Sequence, residues 1–218
     1  MSTTTMVFGT RARVRLAAVT GVATIGLDLA LCFDHTTDLP TRAVPALVAS
    51  FVLLVLSGGK REVLGLRLCP KQGWRYWVLP SAIGGGVIVL ASAIYLLAFP
   101  SEWSSLAFSG QLLKDEVWDR ILFSCFETPL VEEALYRLIL CVSLLSIIGR
   151  LPTILVSGLV FASLHVIYHK PSPDNAIAGF VLGWAFLESE SIALPIVMHG
   201  VGNLAVIGVE LLAAAIAR

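Results

Sequence analysis

Residues 117–148 read VWDRILFSCFETPLVEEALYRLILCVSLLSII, an apolar stretch that also carries Glu127, Glu132, Glu133 and Arg137. A transmembrane helix needs about 20 mostly apolar residues, and this stretch is longer than that. Each charged group inside a bilayer costs roughly 2.5 to 3.5 kcal/mol even on the lenient insertion scale. The stretch therefore predicts a membrane helix that holds most of the buried charge of the chain at a considerable energetic cost.

The whole chain has the composition of a protein that lies in lipid. Of its 218 residues, 57% are hydrophobic and 14% are charged, whereas soluble domains are about 25% charged. The mean hydropathy is +0.87. Lys and Arg together number 15, as do Asp and Glu, so no net charge favours nucleic acid as a partner. The four cysteines lack the CxxC spacing of a metal or redox site, and we expect them to be structural.

Seven apolar segments are candidates for membrane helices. They are 16–33, 43–56, 77–99, 117–148, 151–167, 176–187 and 192–217. The second is short unless Leu39 and Pro40 extend it. The sequence thus predicts an all-α fold, a polytopic membrane bundle of about seven transmembrane helices. We expect residues 1–218 to form a single integral membrane domain, with a motif-bearing core at about 117–210.

The connection between the second and third segments is short and basic. Its cations are Lys60, Arg61, Arg67, Lys71 and Arg75. Short basic loops stay in the cytoplasm. Together with the N-terminal arginines and Arg150, this loop predicts a multi-pass protein of the plasma (inner) membrane with a cytoplasmic N-terminus. Glu188 and Glu190, just before the last segment, are expected to face water at the membrane edge.

The two adjacent glutamates differ in the partner that their own helix can offer. At about 100° per residue, Glu133 and Arg137 lie four apart on nearly the same face and can form an ion pair. Glu132 points about 100° away, so the sequence predicts it to be the unpaired carboxylate. Pro129 removes a backbone donor and can bend the helix at this depth. Taken alone, Glu132 fits a structural role, either paired or lining a water-filled cavity, about as well as it fits a role in chemistry.

Two further segments carry polar groups suited to acid–base chemistry. His165 lies deep in the fifth segment. His199 and Asn203 are four apart on one face of the seventh, where Gly200 and Gly202 leave the backbone open to a neighbouring helix. Each group alone is ordinary helix packing. Contributions from three segments together favour a catalytic site.

Three motifs occur in a fixed order on these segments: EEALYR at 132–137, FASLH at 161–165 and HGVGN at 199–203. They resemble the EExxxR, FxxxH and HxxxN motifs of the CAAX protease and bacteriocin-processing family of intramembrane glutamic endopeptidases, the type II CAAX prenyl proteases among them. The likeness covers roughly residues 125 to 205. Family members often have phenylalanine before the arginine and glycine after it, where this chain has Tyr136 and Leu138, a departure that bears on packing or the substrate groove.

The resemblance implies hydrolysis of a peptide bond in a membrane-associated or prenylated protein or peptide. Glu132 would be the general base, with His165 helping to position and activate a water. His199 and Asn203 would stabilise the oxyanion. The ion pair next to the base would hold its helix in place.

We expect no metal cofactor. Glu132 and two histidines could bind zinc, but the chain has no HExxH motif, and a metal would compete with the charge balance of Glu133 and Arg137. Two other function classes stay open: a non-catalytic membrane protein for peptide binding or bacteriocin immunity on the same fold, and a proton-coupled transporter. The expected partners are a peptide or membrane-protein substrate and the lipid bilayer. The sequence does not indicate the oligomeric state. It also does not indicate which buried group pairs with Asp28.

Overall fold

The computed structural model describes residues 8–33, 38–112, 116–168 and 172–216. The helices within these residues are α1 (Arg11–Phe33), α2 (Leu39–Leu56), α3 (Trp74–Ala98), α4 (Ser101–Leu112), α5 (117–148), α6 (Arg150–Ile167), α7 (Pro173–Ser189) and α8 (Ala193–Ile216). A 3₁₀ turn, Arg61–Leu64, lies between α2 and α3, and the described residues contain no strand. The predicted all-α fold is therefore confirmed.

Five of the described helices, α1, α2, α3, α6 and α8, are long and apolar enough to cross a membrane by length and composition. Many of their apolar side chains stay exposed on the outside of the bundle: Val19 is 64% exposed, Phe51 67% and Leu97 81%. An apolar surface that continues over neighbouring helices fits contact with lipid rather than water. The predicted helical membrane bundle is confirmed.

The seven predicted segments correspond to α1–α3 and α5–α8, with boundaries that differ by a few residues. α2 begins at Leu39 because Asp38 caps it, and the Asp38 carboxylate accepts a hydrogen bond from the Thr41 backbone N–H at 3.0 Å. This earlier start brings Arg42 into the helix. α4 is not predicted by the sequence pattern, because its residues SEWSSLAFSGQL are too polar for a span, and it packs mainly along α8.

α5 alternates between α-helical and π-helical hydrogen bonding. Its α-helical segments are Val117–Leu122, Thr128–Glu133 and Val142–Ile148, and its π-helical segments are Phe123–Glu127 and Ala134–Cys141. Pro129 has no N–H, so it cannot bond the carbonyl of Cys125 four residues earlier or that of Ser124 five residues earlier. Each of these two carbonyls therefore loses one donor from its own helix. π-helical turns are frequent at functional sites.

The basic loop between α2 and α3 is bound to the link between α7 and α8. Lys71 forms an ion pair with Glu190, and its backbone N–H donates to the carbonyl of Ser189 at 2.9 Å. Arg150, at the start of α6, forms an ion pair with Glu188. The basic loop and Arg150 therefore lie at the same end of the bundle, and the two glutamates at that end are paired with cations.

The core lies where α5 packs against α1, α2 and α6. Leu135, Tyr136 and Ile139 of α5 are fully buried there. α3 stands at the edge, where Trp77 alone of its side chains is buried, packed edge-on against Trp184 with ring centroids 5.2 Å apart. This arrangement places the charged turn of α5 between α2 on one side and α8 on the other.

Candidate active site

Glu133 forms the ion pair that helix periodicity predicts. Arg137 Nε lies 3.0 Å from Glu133 Oε2, and both side chains are 0% exposed. The guanidinium also lies over the ring of Phe161, with its Cζ 4.7 Å from the ring centroid, a cation–π contact. The pairing is confirmed, and its role in holding the helix stays a prediction.

Glu132 is not the unpaired carboxylate that the sequence predicts. Its Oε1 accepts a hydrogen bond from Arg42 Nη1 at 3.3 Å, and both side chains are 4% exposed. Arg42 belongs to α2 and lies 90 residues earlier in the chain. The prediction was wrong because helix periodicity reveals only partners on the same helix, whereas this one comes from another.

Asp28 of α1 shares the same partner. Arg42 donates Nε to Asp28 Oδ1 at 2.8 Å and Nη2 to Oδ2 at 3.2 Å. Tyr136 Oη also donates to Oδ2, at 2.7 Å. Two parallel bonds from one guanidinium are the strong form of this contact. Asp28 is thus a member of the site that sequence reasoning left without a role, and its only signal was a charge inside a membrane segment.

His199 lies between the two glutamates. Its Nδ1 is 2.8 Å from Glu133 Oε1, and its Nε2 is 3.9 Å from Glu132 Oε2. An ionised carboxylate only accepts, so Nδ1 carries a hydrogen and donates it to Glu133. The gap from Nε2 to Glu132 is too long for a direct hydrogen bond and suits a small bridging group. His199 therefore faces Oε2 of Glu132, to which no described residue gives a hydrogen bond.

α8 docks against the carbonyls of Cys125 and Ser124, the two that Pro129 of α5 cannot bond. A Cβ on Gly200 would lie 2.4 Å from the carbonyl oxygen of Cys125, so only glycine allows this approach. Asn203 Nδ2 donates to the carbonyl of Ser124 at 2.6 Å. The predicted close approach is confirmed at Gly200. It is absent at Gly202, where an added Cβ would meet nothing within 4 Å among the described residues.

His165 contacts Phe161 and not the glutamates. Its Nδ1 lies 3.0 Å from the Phe161 carbonyl oxygen, and the two ring centroids are 4.7 Å apart. Because a carbonyl only accepts, Nδ1 carries the hydrogen and Nε2 is the acceptor of the neutral ring. The Phe161 ring also meets His199 edge-on, with centroids 5.8 Å apart. Within the described residues, neither His165 nor Asn203 bonds to Glu132.

The site thus contains two buried carboxylates with different partners, Glu132 and Glu133. His199 contacts Glu133 and faces Glu132. Such a set can accept a proton, donate one and stabilise a developing negative charge. Within the described ranges, no three His, Cys, Asp or Glu side chains are grouped so as to hold a metal ion. The expectation of a metal-free site stays a prediction.

Residues 115–205 match the family model described as type II CAAX prenyl endopeptidase, Rce1-like. The match spans all three motifs, from the approach to α5 to Asn203 on α8. No curated protein and no solved structure matches the chain. α1 and α2, which carry Asp28 and Arg42, lie outside the matched residues.

Proposed function

Because residues 115–205 match the family model of type II CAAX prenyl endopeptidases, we propose that the chain belongs to the CAAX protease and bacteriocin-processing family and is an intramembrane glutamic endopeptidase. It hydrolyses a peptide bond of a membrane-associated or prenylated protein or peptide. The position of Glu132 carries the proposal: it is buried within α5, bonded through Oε1 to Arg42 and facing His199 through Oε2. A carboxylate with one free oxygen beside a histidine suits general acid–base catalysis.

Glu132 is the proposed general base. Its Oε2 takes a proton from a water as the water oxygen attacks the carbonyl carbon of the scissile bond, and the carbonyl electrons move to oxygen. When the C–N bond breaks, Glu132 returns the proton to the leaving nitrogen. His165 assists the first step, because its Nε2 is the acceptor nitrogen of the neutral ring and can hold the second hydrogen of the water.

His199 and Asn203 are the proposed oxyanion donors. Glu133 holds His199 through Nδ1, so a protonated His199 directs its Nε2–H to the side where Glu132 lies. Asn203 Nδ2 uses one hydrogen on the carbonyl of Ser124 and keeps a second for the oxyanion. A donor held in place before the reaction contributes about 2.7 to 4 kcal/mol to lowering the barrier.

We propose that the reaction proceeds without a metal. The zinc alternative needs Glu132 and the two histidines to converge on one ion, and the proposal is supported by the described residues, in which no three His, Cys, Asp or Glu side chains are grouped so as to hold a metal. Turnover should therefore survive exhaustive chelation. A loss of turnover that zinc restores would overturn this part of the proposal.

Glu132→Gln is the direct test, because an amide cannot take the proton from water. Membrane and secreted peptides are compared between cells with the intact protein and cells with the variant, and a peptide cut only by the intact protein becomes the substrate for assays in detergent. Glu127→Gln, an exposed glutamate on the same helix, is the matched control and should cleave normally. Turnover by folded Glu132→Gln would refute the glutamate as base.

The two other function classes give different results in the same experiments. A proton-coupled transporter would show pH-driven flux in liposomes with no peptide present. A non-catalytic binding or immunity protein would retain the peptide uncut, in the parent and in Glu132→Gln alike. Cleavage by the parent alone separates the peptidase from both.

We propose that the N-terminus and the basic loop face the cytoplasm across the plasma (inner) membrane. The bundle end that carries Lys71 and Arg150 is rich in cations, and short basic loops stay inside. Cys69 is exposed in this loop. A membrane-impermeant thiol reagent should label it only in opened cells, with Cys69→Ser as the control, and labelling in intact cells would reverse the orientation.

A further inference from the structure

Arg42 connects three helices at the catalytic glutamate. From α2, its Nε and Nη2 bind the two oxygens of Asp28 on α1, and its Nη1 binds Oε1 of Glu132 on α5. Arg42 is 3% exposed and Asp28 is 0% exposed. All three guanidinium nitrogens are therefore committed to carboxylates in a place that solvent hardly reaches.

Tyr136 closes these contacts into a ring. It lies four residues after Glu132 on α5, and its hydroxyl donates to Asp28 Oδ2 at 2.7 Å. Asp28 is thus joined to α5 twice, directly through Tyr136 and indirectly through Arg42. A planar guanidinium bound on three sides has little freedom to turn, so it fixes the carboxylate oxygen that it touches.

We propose that Arg42 is a positioning residue for Glu132, which acts on the catalytic carboxylate without touching the substrate. By occupying Oε1, Arg42 leaves Oε2 as the oxygen free for proton transfer, on the side of His199. Arg42 and Asp28 lie outside residues 115–205, so α1 and α2 take part in the reaction. The inference rests on the proposed function, because positioning matters only if Glu132 is the base.

A purely structural ion pair would make the same contacts, and kinetics separate the two roles. Loss of a buried ion-pair partner lowers the amount of folded protein but leaves turnover per folded molecule unchanged. Loss of a positioning contact lowers kcat of the folded molecules. KM changes little, because Arg42 contacts the base and not the substrate.

The test uses the full chain in detergent and the peptide identified by the Glu132→Gln comparison. Arg42→Gln removes the charge, and Arg42→Lys keeps a charge without the planar fork. The double variant Asp28→Asn with Arg42→Gln removes both members of the neighbouring pair. Arg75→Gln changes an exposed arginine and is the control. Each variant is measured for folded fraction, melting temperature, kcat and KM.

Arg42→Gln is expected to lower kcat per folded molecule about 100-fold, the scale of a 1 Å misplacement in an active site. Arg42→Lys should recover part of this loss. The double variant should melt closer to the parent than Arg42→Gln, because one carboxylate fewer is left without a cation, and yet turn over as slowly. Arg75→Gln should match the parent in all four measurements.

Two results would overturn the inference: parental kcat in folded Arg42→Gln, or a double variant that regains kcat together with its melting temperature. If Arg42→Gln does not fold, kcat per folded molecule of Arg42→Lys and of the double variant is compared with that of the parent, and parental values in both would overturn the inference. A folded parent that cleaves no peptide refutes the proposed function and this inference with it. An active parent with an unaffected Arg42→Gln refutes this inference alone.

Discussion

Gly200 is the residue whose substitution tests how α8 brings His199 to the glutamates. A methyl group at this position would lie 2.4 Å from the carbonyl oxygen of Cys125, whereas Cβ contacts under 3.0 Å are essentially never seen and those under 3.4 Å are uncommon. The obstacle is a backbone atom, which cannot rotate away as a side chain can. Gly200→Ala must therefore separate α8 from α5 by about 0.6 to 1.0 Å at this point.

This separation acts on the neighbours of Gly200. The 2.8 Å bond from His199 Nδ1 to Glu133 would stretch beyond the usual hydrogen-bond range, and Asn203 would move with its helix. A misplacement of about 1 Å lowers turnover about 100-fold. For stability, overpacking costs about 1 to 3 kcal/mol, while alanine in place of a helical glycine contributes about 1 kcal/mol in the opposite direction.

Gly202→Ala is the matched control, two residues further along α8. It brings the same gain in helix propensity, and its Cβ meets no described atom within 4 Å. The difference in the free energy of unfolding between the two variants therefore measures the cost of the clash alone, which we expect to be about 1 to 3 kcal/mol. Each kcal/mol corresponds to about 2 to 4 °C of melting temperature for a chain of this size. Thermal melts and kcat/KM are the measurements. If Gly200→Ala melts and turns over like Gly202→Ala, the close approach to Cys125 is wrong.

Two further predictions concern ion pairing and helix packing. Arg137→Met leaves Glu133, which is 0% exposed, without its cation, and should destabilise the protein by about 3 to 5 kcal/mol. Thermal unfolding measures this loss, and a melting temperature equal to that of the parent protein would refute the pairing. On α7, Gly179→Ala brings a methyl group 2.9 Å from the Gly158 carbonyl oxygen and should cost about 1 to 3 kcal/mol. Gly183→Ala, with its nearest neighbour at 3.8 Å, keeps the helix-propensity gain of about 1 kcal/mol and should melt at or above the parent, and equal effects at the two glycines would contradict the packing.

The parts of the site that one helix contains could be predicted from the sequence. Glu133 and Arg137 are four residues apart, so helix geometry alone brings them together. The close approach at Gly200 follows in the same way from a glycine beside a polar motif on a membrane helix. Gly202 fits the same pattern and has no such contact, because the pattern does not reveal which face of α8 meets α5.

Contacts between distant helices could not be predicted, because no periodicity relates their residues. Arg42 and Glu132 are 90 residues apart, and Asp28 and Tyr136 are 108 apart. One overlooked signal was available. Asp38 followed closely by proline is a typical helix start, which would have placed Arg42 inside α2 and marked it as a buried cation in need of carboxylates.

The adjacency of Glu132 and Glu133 has a physical reason once their partners are known. A turn of about 100° between them directs Glu133 to Arg137 and Glu132 to Arg42, yet each keeps its second oxygen on the side of His199. The cluster contains three carboxylates and two guanidiniums, so a proton on His199 brings it to neutrality. In the proposed mechanism, such an imidazolium would donate from both nitrogens, one to Glu133 and one to the reacting oxygen. Glu133 therefore does more than neutralise Arg137, because it also sets the orientation of the histidine on which the oxyanion would depend.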